Sequence, residues 1–127
     1  MKKQPKPIPF TFVFDYLFPM EPEVKPMFGC HALYIGEKIV LILRERENNP
    51  ESNGVWIATK REHHSSLRKE LKSMTGISVF GDGESNWQMI PASGLHFEKD
   101  VIRCCELIQK NDIRVGNIPK KKSKGGK

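Results

Sequence analysis

Cysteine is scarce in this chain, and the spacings that hold metals are missing. Only Cys30, Cys104 and Cys105 occur in 127 residues, too few and odd in number for the disulfide framework of a small secreted domain. No Cys-x-x-Cys or His-x-x-x-His occurs. His63 and His64 are adjacent, and neighbours on a helix point about 100° apart, so they do not make a ligand pair. No metal or other cofactor is therefore expected. There is no Gly-x-Ser-x-Gly elbow, and Gly81-Asp82-Gly83 lacks the Lys-Ser/Thr of a phosphate loop, so it reads as a turn. Long apolar runs are missing too. Ile39–Leu43 is typical of the longest, far short of the roughly 20 residues a membrane span needs. Pro5, Pro7 and Pro9 interrupt the N-terminal stretch where a secretory leader would be apolar. Cytoplasmic residence is expected, with no membrane partner.

Acidic residues are absent from both ends. The formal net charge is +6, from 21 Lys and Arg against 15 Asp and Glu. Lys2, Lys3 and Lys6 open the chain, and Lys120, Lys121, Lys122, Lys124 and Lys127 close it, while every acid lies between. The body, 7–119, holds 13 basic and 15 acidic residues, a net −2. At 38% hydrophobic and 28% charged, the composition is that of an ordinary globular domain, and the length suits one core. The expected layout is a disordered basic arm over 1–8, one α+β domain over 9–116 and a disordered Lys-rich tail over 117–127.

Phe10, Val13, Phe14, Leu17 and Phe18 follow helical spacing between Pro9 and Pro19. From Val24 to Ile35 the pattern is a strand interrupted by Pro26 and Gly29. A tight turn at Gly36 leads to the apolar strand 39–43, and 55–58 is a third strand. Thr59 and Glu62 fit a capping box for a helix carrying Leu67, Leu71 and Met74 to a stop at Gly76. Strands over 77–80 and 87–90 follow, then a helix with Phe97, Val101, Cys104, Cys105 and Ile108 on one face. The order α-β-β-β-α-β-β-α predicts a two-layer α+β fold: a mainly antiparallel five-stranded sheet with helices on one face. Its two sheet edges need pairing or protection, which is the ground for expecting a homodimer.

The remaining side chains have plain structural readings. Cys104-Cys105 is a vicinal pair suited to small apolar packing. Glu45 and Glu47 alternate onto one solvated face. Trp56 and Trp87, in separate strands, are core anchors or an aromatic surface for a partner.

The run Pro26-Met27-Phe28-Gly29-Cys30-His31-Ala32-Leu33-Tyr34-Ile35-Gly36-Glu37-Lys38 resembles the N-terminal domain of TfoX competence regulators and its stand-alone relatives. Asn86-Trp87-Gln88-Met89 before a last helix echoes the related YjbR-like proteins. The resemblance implies a small α+β domain of secretion-chaperone-like arrangement and no catalytic residues. Its motif residues here are Met27, Phe28, Gly29, Leu33 and Tyr34, with Gly29 expected at a bulge or a close backbone approach and Phe28, Leu33 and Tyr34 expected to pack the sheet. Competence regulation belongs to longer proteins with a second helical domain and is not carried over.

Three functions follow as expectations. The first is a non-enzymatic interaction or regulatory domain with an unknown protein partner or a second copy of itself. The second is a nucleic-acid-associated protein that contacts phosphates through Lys120, Lys121, Lys122, Lys124 and Lys127. The third is a small enzyme assembled from Cys30-His31 and His96.

Overall fold

A computed structural model describes residues 7–77 and 86–118. Helix α1 (Phe12–Leu17) leads into strands β1 (Glu23–Met27), β2 (Cys30–Ile35), β3 (Lys38–Arg44) and β4 (Gly54–Ile57). Helix α2 (Arg61–Glu70), strand β5 (Gln88–Pro91) and helix α3 (Phe97–Gln109) follow. The strands form one antiparallel sheet in the order β1-β2-β3-β4-β5, and the fold is α+β as expected.

Its order departs from expectation in one place. The stretch expected as one interrupted strand, 24–35, is a complete hairpin, with Met27 opposite Cys30 across a two-residue loop. Phe28 and Gly29 hold φ of 51° and 78°, the left-handed pair that a two-residue turn needs to match strand twist. Gly29 is thus a turn residue rather than a bulge. Of the later strand expected over 77–80, residues 78–80 lie outside the described residues and Ile77 is not in a strand.

The bulge lies one hairpin further on. Leu33 pairs with Leu41 but Tyr34 with Ile39, leaving Val40 as the extra residue. Val40 and Leu41 therefore both join the helix side of the sheet, while Ile39 joins Tyr34 on the other. On the helix side, Leu33, Leu41, Leu43, Val55, Ile57 and Ile90 meet Val13 and Leu17 of α1, Leu67 of α2, and Val101, Cys104, Cys105 and Ile108 of α3. Burying each large aliphatic side chain contributes about 1.5–3 kcal/mol, so this layer dominates stability. The opposite face carries Cys30, Ala32, Ile39, Ile42, Trp56, Ala58, Ile77 and Met89, with no helix residue among them. Helices on one face are as expected.

Helix starts differ in detail. Phe10 has φ 55° and α1 begins only at Phe12, so Pro9 is not in its first turn. The capping box at the start of α2 does not form. Lys60 is the N-cap without a side-chain bond, and the Thr59 hydroxyl instead donates to the Arg114 carbonyl at 2.6 Å. The competing partner is the segment after α3, which the local pattern does not reveal. That segment binds the sheet: Gly116 N–H donates to Ala58 O, and Ile39 and Asn117 exchange both backbone bonds. Arg114 holds it to α2 and to itself, donating to Glu70, Ser66 and Asp112. Arg103 of α3 also pairs with Glu70. The body thus reaches Asn117, one residue beyond the expected boundary, and at the other end Ile8 packs on the helix-side core.

Candidate functional site

The helix-free sheet face holds a groove of about 360 Å³. Met27 of β1, Phe28 of the turn, Cys30 of β2, Ile42 of β3, Trp56 of β4 and Trp87 just before β5 supply its apolar lining. Strand alternation explains the gathering: Ile42 pairs with Trp56, which pairs with Met89, and every second residue along each strand returns to this face. Arg44, Arg46 and Asn49 add the polar part.

Local bonds fix the walls. The Trp56 indole N–H donates to Ser52 O at 2.9 Å, tying the ring to the short 3-10 turn Pro50–Ser52. Asn53 clamps the loop, accepting from Arg46 N–H and Arg44 Nη1 on its side-chain oxygen while donating to Arg46 O. Gly54 is required there, because at φ 150° a Cβ would stand 2.2 Å from Ile90 O in β5. At the other end, the Arg46 guanidinium donates to Phe28 O at 2.8 Å and lies over Gly29, where a Cβ would come within 2.7 Å of Nη1. Gly29 is therefore needed for its φ, since the flexible end of Arg46 would shift aside from a Cβ.

The residues expected to form a family motif divide. Leu33 is fully buried among the helices, and Tyr34 is half-buried on the groove face with Lys25 Nζ 4.8 Å from its ring centroid. Phe28 corrects the expectation of sheet packing: it is 87% exposed at the rim of the groove. Its backbone turns outward at positive φ, which carries its side chain off the sheet. Met27 is half-buried on the groove wall. Lys120, Lys121, Lys122, Lys124 and Lys127 lie outside the described residues, as do Lys2, Lys3 and Lys6.

Cys30 and His31, neighbours in sequence, sit on opposite faces. Cys30 belongs to the groove side, whereas His31 pairs with Leu43 of the helix side. Cys104 and Cys105 are buried in the helix-side core, as their apolar reading expected. Burial pushes the Cys104 thiol far up and the Cys105 thiol to about 12, so neither forms a thiolate nucleophile near neutral pH. Asp100, in the first turn of α3, is buried and accepts from the backbone N–H and hydroxyl of Ser73. Among the described residues no cluster of three or more His, Cys, Asp or Glu is arranged to hold a metal ion, and no helix is long and apolar enough to cross a membrane.

Sequence reasoning missed Arg44 and Arg46 as groove residues, because residues 44–47 read as the charged start of a polar loop. The signal was present in the spacing: Ile42, Arg44 and Arg46 continue one alternation onto one face. Compared with known proteins, the chain matches no family model, no curated protein and no solved structure.

Proposed function

We propose that the chain is a non-enzymatic interaction and regulatory domain of the TfoX N-terminal type, cytoplasmic, which binds its target through the groove on the helix-free sheet face. The observation that carries this reading is Phe28. An aromatic side chain 87% exposed, on a left-handed backbone at φ 51°, is costly on both counts. It stands at the mouth of a groove already lined by Met27, Ile42, Trp56 and Trp87. Exposed apolar groups gathered around a concavity are what a binding surface requires. The groove also supplies a role for the resemblance, since Met27-Phe28-Gly29 builds its rim.

The test is a fragment screen against isotopically labelled protein, with bicyclic aromatic probes of neutral and charged kinds. Amide shifts confined to residues 27–30, 42–46 and 87–89, and lost in Phe28→Asn, support the reading. Shifts scattered over the helix layer, or chemical conversion of a probe, defeat it.

A further inference from the structure

We infer that the groove takes a small ligand with a flat apolar body and an anionic head, a compact aromatic carboxylate. The inference rests on the groove being the binding surface and adds the ligand's charge and shape.

Arg44 carries the argument. It is only 5% exposed and lines the groove, yet all its partners are neutral. Nη1 donates to Asn49 O at 3.0 Å and to Asn53 Oδ1 at 2.7 Å, and Nη2 donates to Asn48 O at 3.0 Å. A guanidinium cannot shed its proton within the range proteins experience, so the charge stays. A buried charge normally has a counter-charge, because neutral acceptors offset only part of its lost hydration. Among the described residues no carboxylate lies within ion-pair distance of Arg44. Three of its five N–H groups are used, leaving Nε–H and one Nη2–H for a further acceptor.

Arg46 repeats the pattern. Its one side-chain bond goes to Phe28 O, and no carboxylate among the described residues pairs with it. Among the described residues, Arg44 and Arg46 are the only charged ones lining the groove. Glu45 and Glu47, which flank Arg46, line a neighbouring depression with Pro7, Asn48 and Arg46 itself, but neither pairs with its guanidinium. Two guanidinium groups that no carboxylate among the described residues pairs, on a body of net −2, make a local positive site. A carboxylate suits the fork geometry of a guanidinium. Apart from the Asn49 amide, the remaining walls are the rings of Phe28, Trp56 and Trp87, with Met27, Cys30 and Ile42, and about 360 Å³ lies at the small end of ligand cavities, enough for a bicyclic aromatic acid.

Three naphthalene probes of nearly one shape test this: 2-naphthoate, neutral 2-naphthalenemethanol and cationic 2-naphthylmethylammonium, titrated by calorimetry and tryptophan fluorescence. The expected result is that naphthoate binds at least tenfold more tightly than the alcohol, the ammonium binds least, and added salt narrows the gap. Arg46→Gln should reduce the naphthoate preference several-fold. Arg44→Lys, which keeps a charge for the loop but loses the fork, should reduce it further. If alcohol and naphthoate bind equally, the anion preference is overturned and the groove reading stands. A naphthoate preference unmoved in both variants also overturns it. If none of the three binds, both readings fail.

Discussion

Phe28 holds a backbone conformation that an asparagine would adopt with less strain. Asn-Gly is the favoured pair for a two-residue turn with both residues at positive φ, and the turn here is Phe28-Gly29 at 51° and 78°. Phe28→Asn should therefore raise stability by about 1 kcal/mol, a rise in melting temperature of roughly 4 °C for a domain of this size. The same variant should bind groove ligands less well, and this opposition of stability and binding separates a functional aromatic from a structural one. Thermal denaturation beside a probe titration measures both, and a fall in stability would show that Phe28 anchors the hairpin. In the sequence this residue was legible only as part of a strand, because Phe is favoured in strands and rare in left-handed turns. The close approach expected at Gly29 is there, made by Arg46, but the alternative bulge is a turn: one glycine in an apolar run reads equally as either. Arg44 was harder still, since its burial depends on Asn48, Asn49 and Asn53 folding back over it.

At the level of elements, the segment after α3 is joined to α2 by charge. Arg114 donates to Glu70 and Asp112, and those bonds hold the Glu70 carboxyl below its ordinary 4.5 and bring Asp112 down to about 2. Both groups bind protons more weakly folded than unfolded, so the unfolded chain takes up protons first as pH falls. Their contribution is complete above about pH 4.5 and disappears as pH drops toward 2. Asp112→Asn should lower the melting temperature at pH 7 and flatten its decline between pH 4.5 and 2. Partial solvent exposure keeps the effect small, about 1 kcal/mol or less at neutral pH. Melting curves across a pH series read it, and a decline as steep as that of the unmodified chain would remove Asp112 from the network. The helices and the apolar strands were legible from spacing, because each buries one stripe or face irrespective of distant partners. The start of α2 was not. Thr59 and Glu62 fit a local cap, but the hydroxyl is drawn to Arg114 O, 55 positions away.

For the whole molecule, the sheet edges decide how it meets copies of itself. Both are blunted by proline. In β1, Met27 and Cys30 close the two-residue hairpin as a hydrogen-bonded pair, so alternate residues Pro26 and Val24 face outward. Pro26 has no N–H to offer there. In β5, Met89 faces outward but is already bonded to Thr75 in both directions, and Pro91, two residues on, again lacks an N–H. Among the described residues the edges are thus partly protected inside the chain, with Val24 still facing outward in β1, which narrows the ground for expecting a homodimer. Sedimentation should give the 14.6 kDa monomer, whereas Pro26→Val should restore an outward donor and promote concentration-dependent association. A dimer in the unmodified protein that Pro26→Val leaves unchanged would show that the edges are irrelevant. The separation of charge holds at this scale too: the basic fringe begins beyond a body that is slightly acidic.

Asn117 occupies the place beside Ile39 that β4 has left, and Gly116 bonds to Ala58 just before it. Vectorial synthesis therefore delivers every strand and helix of the sheet layer before the residues that fill this gap. Whenever 114–117 are undocked from a formed sheet, β3 offers Ile39 N–H and C=O to any extended chain nearby, and the chain's own segment then competes with strangers for one backbone position.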